Sequence, residues 1–314
     1  MIGMKRLFRV GIGSAIAIVS ACGLIGCFGA PPAVSPTSPL YFKPAATFAI
    51  QKTIAQPTPK PKLYVAEATL NKVLVFDPTV PNPTPQATIT KGLSAPFGLA
   101  VDRNANLYVA NSGDRTVTVY HPGKSTPFFK IDHGLGSVPE AIAVDSTGNV
   151  FVTTAFHHEI VAFHPGHQHA YQTFRIVKGR LGALAFDVDD NLYIAADKYV
   201  LEIPRGTTKP IDLGLSGLSG ADGIAFANGI MYVSNFALND VAVYKKGQTA
   251  PFRTITSGFD QPTFNTFVQP AELFQVNNID WKVEGFKRDH SNPFVTITGL
   301  TRPIGVAASP LQNP

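Results

Sequence analysis

From Leu63 onward the apolar residues come in short runs, alternating or continuous, each closed by Gly, Pro, Asn or Asp. That pattern predicts strands joined by tight turns. One phrase recurs six times: Leu63-Tyr64-Val65-Ala66, Leu107-Tyr108-Val109-Ala110, Val150-Phe151-Val152-Thr153, Leu192-Tyr193-Ile194-Ala195, Met231-Tyr232-Val233-Ser234 and Leu273-Phe274-Gln275-Val276. Measured between the aromatics, the copies stand 39 to 44 residues apart.

Other elements keep step with the phrase. A run of small apolar residues precedes it at 98–102, 141–145, 183–187 and 223–226, as suits an innermost strand where sheets crowd round an axis. Between the two lie Asn104-Ala105-Asn106, Thr147-Gly148-Asn149 and Asp189-Asp190-Asn191, turn residues able to take left-handed backbone angles. An alternating third strand follows, as at 117–120 and 241–244, closed by turns such as His121-Pro122-Gly123. A weaker fourth strand comes next, as at 127–130 and 251–254. Four strands in a period near 40 residues predict an all-β protein, a six-bladed β-propeller of four-stranded blades. The first repeat lacks an inner strand, while the chain ends in a surplus one at 303–308. The C-terminal strand is therefore expected to pair in blade one and close the ring, removing free sheet edges. The sixth repeat is degraded: residues 262–268 align without a gap on 96–102, and this inner strand is expected to fit poorly.

The first 61 residues follow other rules. Lys5, Arg6 and Arg9 form a basic start, and residues 10–19 are apolar apart from Gly and Ser, which reads as an export signal. Two overlapping lipoprotein-type boxes end it, Val19-Ser20-Ala21-Cys22 and Leu24-Ile25-Gly26-Cys27, and they hold both cysteines of the chain. Cys27 is favoured for lipidation, with Cys22 as the alternative, because Leu24 suits the position before cleavage and a Pro-rich stretch follows Cys27. An uncleaved anchor is the competing reading, since residues 10–26 approach the lower limit for spanning a bilayer. Eight prolines between residues 28 and 61 favour an extended tether. Its apolar stretches between residues 40 and 55 are expected to pack on the propeller's flank. The domains are thus expected at 1–26 (signal), 27–61 (tether) and 62–314 (propeller).

Composition narrows the partners. Charged residues make up 15% of the chain, and the formal charge of +5 includes the three N-terminal cations, leaving about +2. No stretch combines clustered Lys and Arg with aromatics, so nucleic acid is not an expected partner.

The recurring G-[IL]-A-[VF]-D, Gly/Asn turn, [LV]-[YF]-V-A and V-x-V-[YF] over residues 62 to 309 resembles the NHL-repeat propellers, distantly the gluconolactonase-like ones. Such relatives include lactone hydrolases, amidating lyases, sensor domains and protein-binding modules, so the resemblance implies a fold rather than one function. It also implies that the loops entering each inner strand share a face, at the mouth of the central channel, with the second-to-third-strand loops. One ring of residues there is Ile304, Phe97, Glu140, Gly182, Asp222 and Thr263; the other is Glu67, Asn111, Thr154, Ala196, Asn235 and Asn277. The carboxylates Glu67, Glu140 and Asp222 with the amides Asn111, Asn235 and Asn277 are an oxygen set that suits Ca²⁺ or another divalent cation. Gluconolactonase-like propellers place a metal at this mouth, although their full ligand set has no match here. The competing reading, which the turn chemistry of Asn and Asp favours, is that the same groups cap strand ends and bind water.

Other candidates are weaker. His157 and His158 follow the second strand of blade three on the face of Glu140, a conceivable zinc site. His164, His167 and His169 fall in a third-to-fourth-strand turn, matching His121 in blade two, and read as a solvated turn. Asp114, Arg115 and Asp240 are expected in surface ion pairs. Trp281, the one tryptophan, sits in the blade-six loop near the mouth and suits carbohydrate or peptide contact or packing over that blade. No Gly-Xaa-Ser-Xaa-Gly elbow occurs, so a serine hydrolase is unsupported. The leading expectation is an exported, lipid-anchored monomer of the bacterial cell envelope that binds a protein, peptide or glycan across the mouth. The alternative is a metal-dependent lactonase or related hydrolase, with Glu67, Glu140 and Asp222 as ligands or general base and a cation polarising a carbonyl.

Overall fold

The computed structural model describes residues 60–268, 272–288 and 290–309. The candidate lipidation cysteines Cys22 and Cys27, the signal, nearly all of the tether and the apolar segment at 40–55 lie outside the described residues.

Six four-stranded antiparallel sheets follow one another along the chain. Blade one contributes β1 (Lys62–Glu67), β2 (Lys72–Phe76) and β3 (Ala87–Ile89). Blade two is β4 (Pro96–Val101), β5 (Leu107–Asn111), β6 (Thr116–Tyr120) and β7 (Phe129–Ile131). Blade three is β8 (Pro139–Val144), β9 (Val150–Thr154), β10 (Glu159–Phe163) and β11 (Ala170–Arg175). Blade four is β12 (Leu181–Phe186), β13 (Leu192–Ala196), β14 (Tyr199–Ile203) and β15 (Ile211–Asp212). Blade five is β16 (Ala221–Ala227), β17 (Ile230–Asn235), β18 (Asp240–Lys245) and β19 (Arg253–Ile255). Blade six is β20 (Pro262–Val268), β21 (Glu272–Asn277), β22 (Lys282–Lys287) and β23 (Val295–Ile297). The last strand, β24 (Pro303–Ser309), pairs antiparallel with β1 as the inner strand of blade one, Tyr64 opposite Ala307 and Leu63 opposite Ala308. The ring is closed by the C-terminal strand, as the surplus repeat element required.

The repeated aromatic makes the joint between blades. Phe151 meets Phe186 of the next inner strand with ring centroids 5.0 Å apart, Tyr193 meets Phe226 at 4.7 Å, and Tyr232 meets Phe267 at 4.7 Å, all edge to face. Such a pair contributes about 0.5–1.5 kcal/mol beyond its buried area. In blades one and two the same position belongs to Tyr64, which shares a core with Val101, and Tyr108, which shares one with Val144. Repetition of the aromatic therefore reflects repetition of a contact.

A β-bulge interrupts every pairing of inner and second strand at the end where the chain enters the blade. An extra residue there bends the strand and re-aims its side chains. The inner strands touch at this end: a Cβ on Gly98 would meet the Glu140 carbonyl at 2.2 Å, and one on Gly305 the Phe97 carbonyl at 2.0 Å. At the other end the inner-to-second turns are fixed by the aspartates that close the strands. Asp102, Asp145 and Asp187 each accept from the backbone N–H groups two and four residues on and from the amide of Asn106, Asn149 or Asn191. Ala105, Gly148 and Asp190 take left-handed φ angles of 61°, 90° and 62° at these turns, the role read for them in the sequence.

The sixth blade differs from the expectation of a poor fit. Its inner strand pairs fully, because two polar residues replace an apolar cross-strand pair together: Asn265 opposite Gln275 stands where blade two has Leu99 opposite Val109. Gln275 Nε2 donates to the carbonyls of Thr263, Phe264 and Val276, and its Oε1 accepts from the hydroxyl of Ser234 in blade five at 2.6 Å. Asn265 Nδ2 donates to the same hydroxyl at 2.8 Å. A buried amide that satisfies its neighbours' carbonyls is tolerated where a lone one is not.

Candidate functional site

The entry loops and the second-to-third-strand turns share one face, and the bulges bring Glu140 and Asp222 to its centre. Between them stands a residue the sequence reading did not single out. Arg180, in the loop entering blade four, puts Nη2 2.7 Å from Asp222 Oδ1. Gly182 holds the next ring position, and a Cβ there would come 2.6 Å from the Asp222 carbonyl. The absence of a side chain in blade four is what lets Arg180 reach across to blade five. Burial pushes the Asp222 carboxyl above its ordinary range, and Arg180 opposes the shift. Glu140 is half-buried and is also raised, first by burial; Arg180 pulls it down and the charge of Asp222 pushes it up. The three therefore form an acid–guanidinium–acid centre. On the other side of the ring Phe97 and Phe264 meet edge to face at 5.8 Å, and Ile304 is buried, so that side is apolar. Thr263 is buried, and its Oγ1 has no hydrogen-bond partner.

The second ring lies one layer out, fully buried, and its polar groups hold the entry loops in place. Glu67 accepts from the Thr301 N–H and pairs with Lys72 at 2.8 Å. Asn111 accepts from Ser94 N–H at 3.2 Å and donates to the Gly92 carbonyl and to Thr116 and Thr118. Asn235 does the same for Ser219 and Gly217 and donates to Asp240 at 2.6 Å. Asn277 donates to the Gly258 carbonyl and to Glu284. Thr154 donates to Glu159 within its own hairpin, and Ala196 has no polar side chain. The structure thus separates the two rings that the sequence placed on one axis. Among the described residues no group of three or more His, Cys, Asp or Glu side chains is arranged to hold a metal, so Glu67, Glu140 and Asp222 form no such group.

The histidines divide by turn. His121 and His164, equivalent in blades two and three, donate from Nδ1 to Oδ1 of Asn106 (3.1 Å) and Asn149 (2.9 Å) and stack on Phe128 (3.6 Å) and Tyr171 (4.0 Å). They fasten the third-to-fourth turn to the inner hairpin. His167 packs against His164, and His169 against His133. His157 lies 3.9 Å from Glu159 rather than joining Glu140. Asp114 and Asp240, expected in ion pairs, accept instead from Thr116 and Asn235.

One position in the second-to-third turn is left-handed in every blade: Asn71, Arg115, His158, Asp197, Asn239 and Trp281, with φ between 47° and 58°. Asn is at ease there, and in two blades its side chain is used. Asn71 accepts from Ala95 N–H at 2.6 Å and Asn239 from Gln261 N–H at 2.8 Å, each tying its turn to the next blade's entry loop. In blade six the position holds Trp281, which is 47% exposed. Other turn tips on this face expose Leu70, Phe156, Leu238 and Ile279, and the blade-four entry loop exposes Val177. A polar centre of Glu140, Arg180 and Asp222 is thus ringed by apolar tips.

The central cavity, about 410 Å³, is lined by all six inner strands but by none of the six mouth residues. It reaches the opposite end of the ring, where Arg103 is exposed and Ser146 donates to Asp190. The channel is therefore open away from the face where the sequence reading put its mouth, because the inner strands close on one another at the bulged end.

No family model and no curated protein matches the chain. Among solved structures it is similar to a chain in the crystal structure of a nidogen/laminin complex, with TM-score 0.69 and 17% identity over 80% of this chain and 99% of that one. It is also similar to a protein of unknown function from Bacteroides caccae, with TM-score 0.61 and 12% identity over 80% of this chain and 99% of that one. At such identities the likeness is one of fold, and the fold is a six-bladed β-propeller of four-stranded blades closed by its last strand.

Proposed function

We propose that the protein is an exported, lipid-anchored binding scaffold that docks a protein partner on the face of the entry loops and second-to-third-strand turns. The propeller fold is consistent with such a role. The observation that carries the reading is the set of exposed apolar tips, Leu70, Phe156, Val177, Leu238, Ile279 and Trp281, around the charged centre of Glu140, Arg180 and Asp222. Apolar side chains left in water at loop tips find their use in an interface, and a central ion pair with a buried Asp222 and an exposed Arg180 gives it register. One structural neighbour comes from the crystal structure of a nidogen/laminin complex. No observation favours the hydrolase reading over this one.

The anchor rests on the basic start, the apolar run and Cys27. Several acyl chains on one cysteine, at about 0.8 kcal/mol per buried methylene, would hold the protein at a membrane.

A photo-crosslinking amino acid placed at Phe156, Leu238 or Trp281 in cells should give one adduct of common mass. The same residue at Phe128 or Phe252, on the opposite rim, should not. An equal pattern from both rims, or none from the first three positions, contradicts the docking face. A glycan partner would appear as loss of binding after glycosidase treatment, which also contradicts a protein partner. Separately, Cys27→Ser should abolish incorporation of an alkyne-tagged fatty acid, whereas Cys22→Ser should not.

A further inference from the structure

On the end of the ring away from the proposed docking face, a second cavity of about 330 Å³ opens between blades four and five. That volume is at the lower end of the roughly 300–1,000 Å³ of small-molecule sites. Its apolar wall is Leu213, Leu215, Phe226 and Met231, and its polar groups converge at one corner. There Glu202 stands directly across the sheet from Tyr193. The Tyr193 hydroxyl donates its proton to Asp187 Oδ2 at 3.2 Å and also lies within hydrogen-bonding reach of Glu202, so the two carboxylates share one donor. Asp187 receives in addition the N–H groups of its own turn. Lys246, at the rim, pairs with Asp189 at 3.1 Å and stands 3.8 Å from Asp187. The neighbouring Lys245 lies over the Phe252 ring, 4.8 Å from its centroid. Glu202 is left with a share of the Tyr193 hydroxyl and the charge of Lys246, and among the described residues its carboxylate has no backbone N–H donor or ion pair, whereas Asp187 has the N–H groups of its turn and Asp189 has Lys246. Burial first, and then the charge of Asp187, raise the Glu202 pKa, while Lys246 and the Tyr193 hydroxyl oppose the shift.

We infer that this cleft binds a small organic cation, an amine carried on an aromatic or aliphatic body, with the ammonium donating to Glu202 and the body lying on Leu215, Phe226 and Met231. An apolar cavity with one under-supplied carboxylate matches a ligand that is apolar along its length and cationic at its tip. An anion would meet Asp187, Asp189 and Glu202 with only Lys245 and Lys246 opposing them, both already engaged. Leu213 and Leu215 begin the connection into blade five, but the carboxylates and lysines of the site come from strand β14 and from inner-to-second and third-to-fourth turns at the other rim, and none of the proposed docking tips lines it.

The full chain would be titrated with 5-fluorotryptamine and with 5-fluoroindole-3-acetate, followed by fluorine NMR. The amine should bind and the acid should not, and Glu202→Gln should weaken the amine at least tenfold. Circular dichroism of Glu202→Gln checks that the variant is folded, and Lys246→Gln, which frees Asp187 and Asp189, should leave amine binding intact or tighten it. No binding of the amine at millimolar concentration, equal binding of amine and acid, or amine binding unchanged in a folded Glu202→Gln protein would each overturn the assignment.

Discussion

At Trp281 the backbone holds a φ of 50° that a bulky residue adopts at a cost, while the equivalent Asn71 and Asn239 adopt it readily and gain a hydrogen bond. The left-handed region costs an ordinary L-residue about 1–2 kcal/mol, and Asn visits it routinely. Trp281→Asn should therefore raise stability by about 1 kcal/mol in urea unfolding and weaken partner crosslinking from Phe156. A stable variant with undiminished crosslinking would detach Trp281 from the interface. The acids at the centre of that face give a pH prediction. Asp222 has its folded pKa raised, so at pH values between its unfolded and folded pKa the folded state binds more of the proton than the unfolded state does. Its contribution is fullest below the unfolded carboxylate range and declines as pH rises through the folded value. Asp222→Asn should thus be more stable relative to wild type at pH 7 than at pH 4, with urea midpoints as the readout. A gap that widens on acidification would reverse the sign.

At the scale of elements, the aromatic of each second strand was legible because the same joint recurs between blades. Phe267→Ala, which removes the partner of Tyr232, should cost about 3–5 kcal/mol in denaturant unfolding. A loss below 1 kcal/mol would show that the joint is slack. Blade six was less legible. Read one residue at a time, Asn265 and Gln275 are polar intruders in strands that elsewhere are apolar. Only the cross-strand register and the Ser234 hydroxyl of the neighbouring blade turn them into a network. Gln275→Val alone should cost about 1–3 kcal/mol by stranding its partners. The triple change Ser234→Ala, Asn265→Leu and Gln275→Val restores the pattern of blade two and should cost less than the sum of its parts. Strict additivity would rule out the network. The second-ring residues were legible in the correct turns, with capping of strand ends as one of the roles read for them, but the loops they hold were not. A bulge and a fully buried layer are set by neighbouring backbones, so the sequence offered no cue that Glu67 and Asn111 face the entry loops. Arg180 escaped notice for a similar reason: it occurs once, in a loop, and matters through the missing side chain at Gly182.

For the whole molecule, six sheets, their order and the closing strand follow from counting repeats and finding one strand too few at the start and one too many at the end. What counting does not give is which end of the channel is open, since that depends on how closely Gly98, Gly182, Gly223 and Gly305 let adjacent blades approach. Closure makes the ring cooperative: β24 sits between β1 and the centre, with its residues buried along their length. Opening it would expose both strands at once, so neither edge should exchange before the ring unfolds. Hydrogen–deuterium exchange resolved to residues 304–308 and 63–66 tests this directly. Both segments should exchange together, at the slow rate of global unfolding; fast exchange of 304–308 while 63–66 stays protected would contradict a ring closed by its last strand.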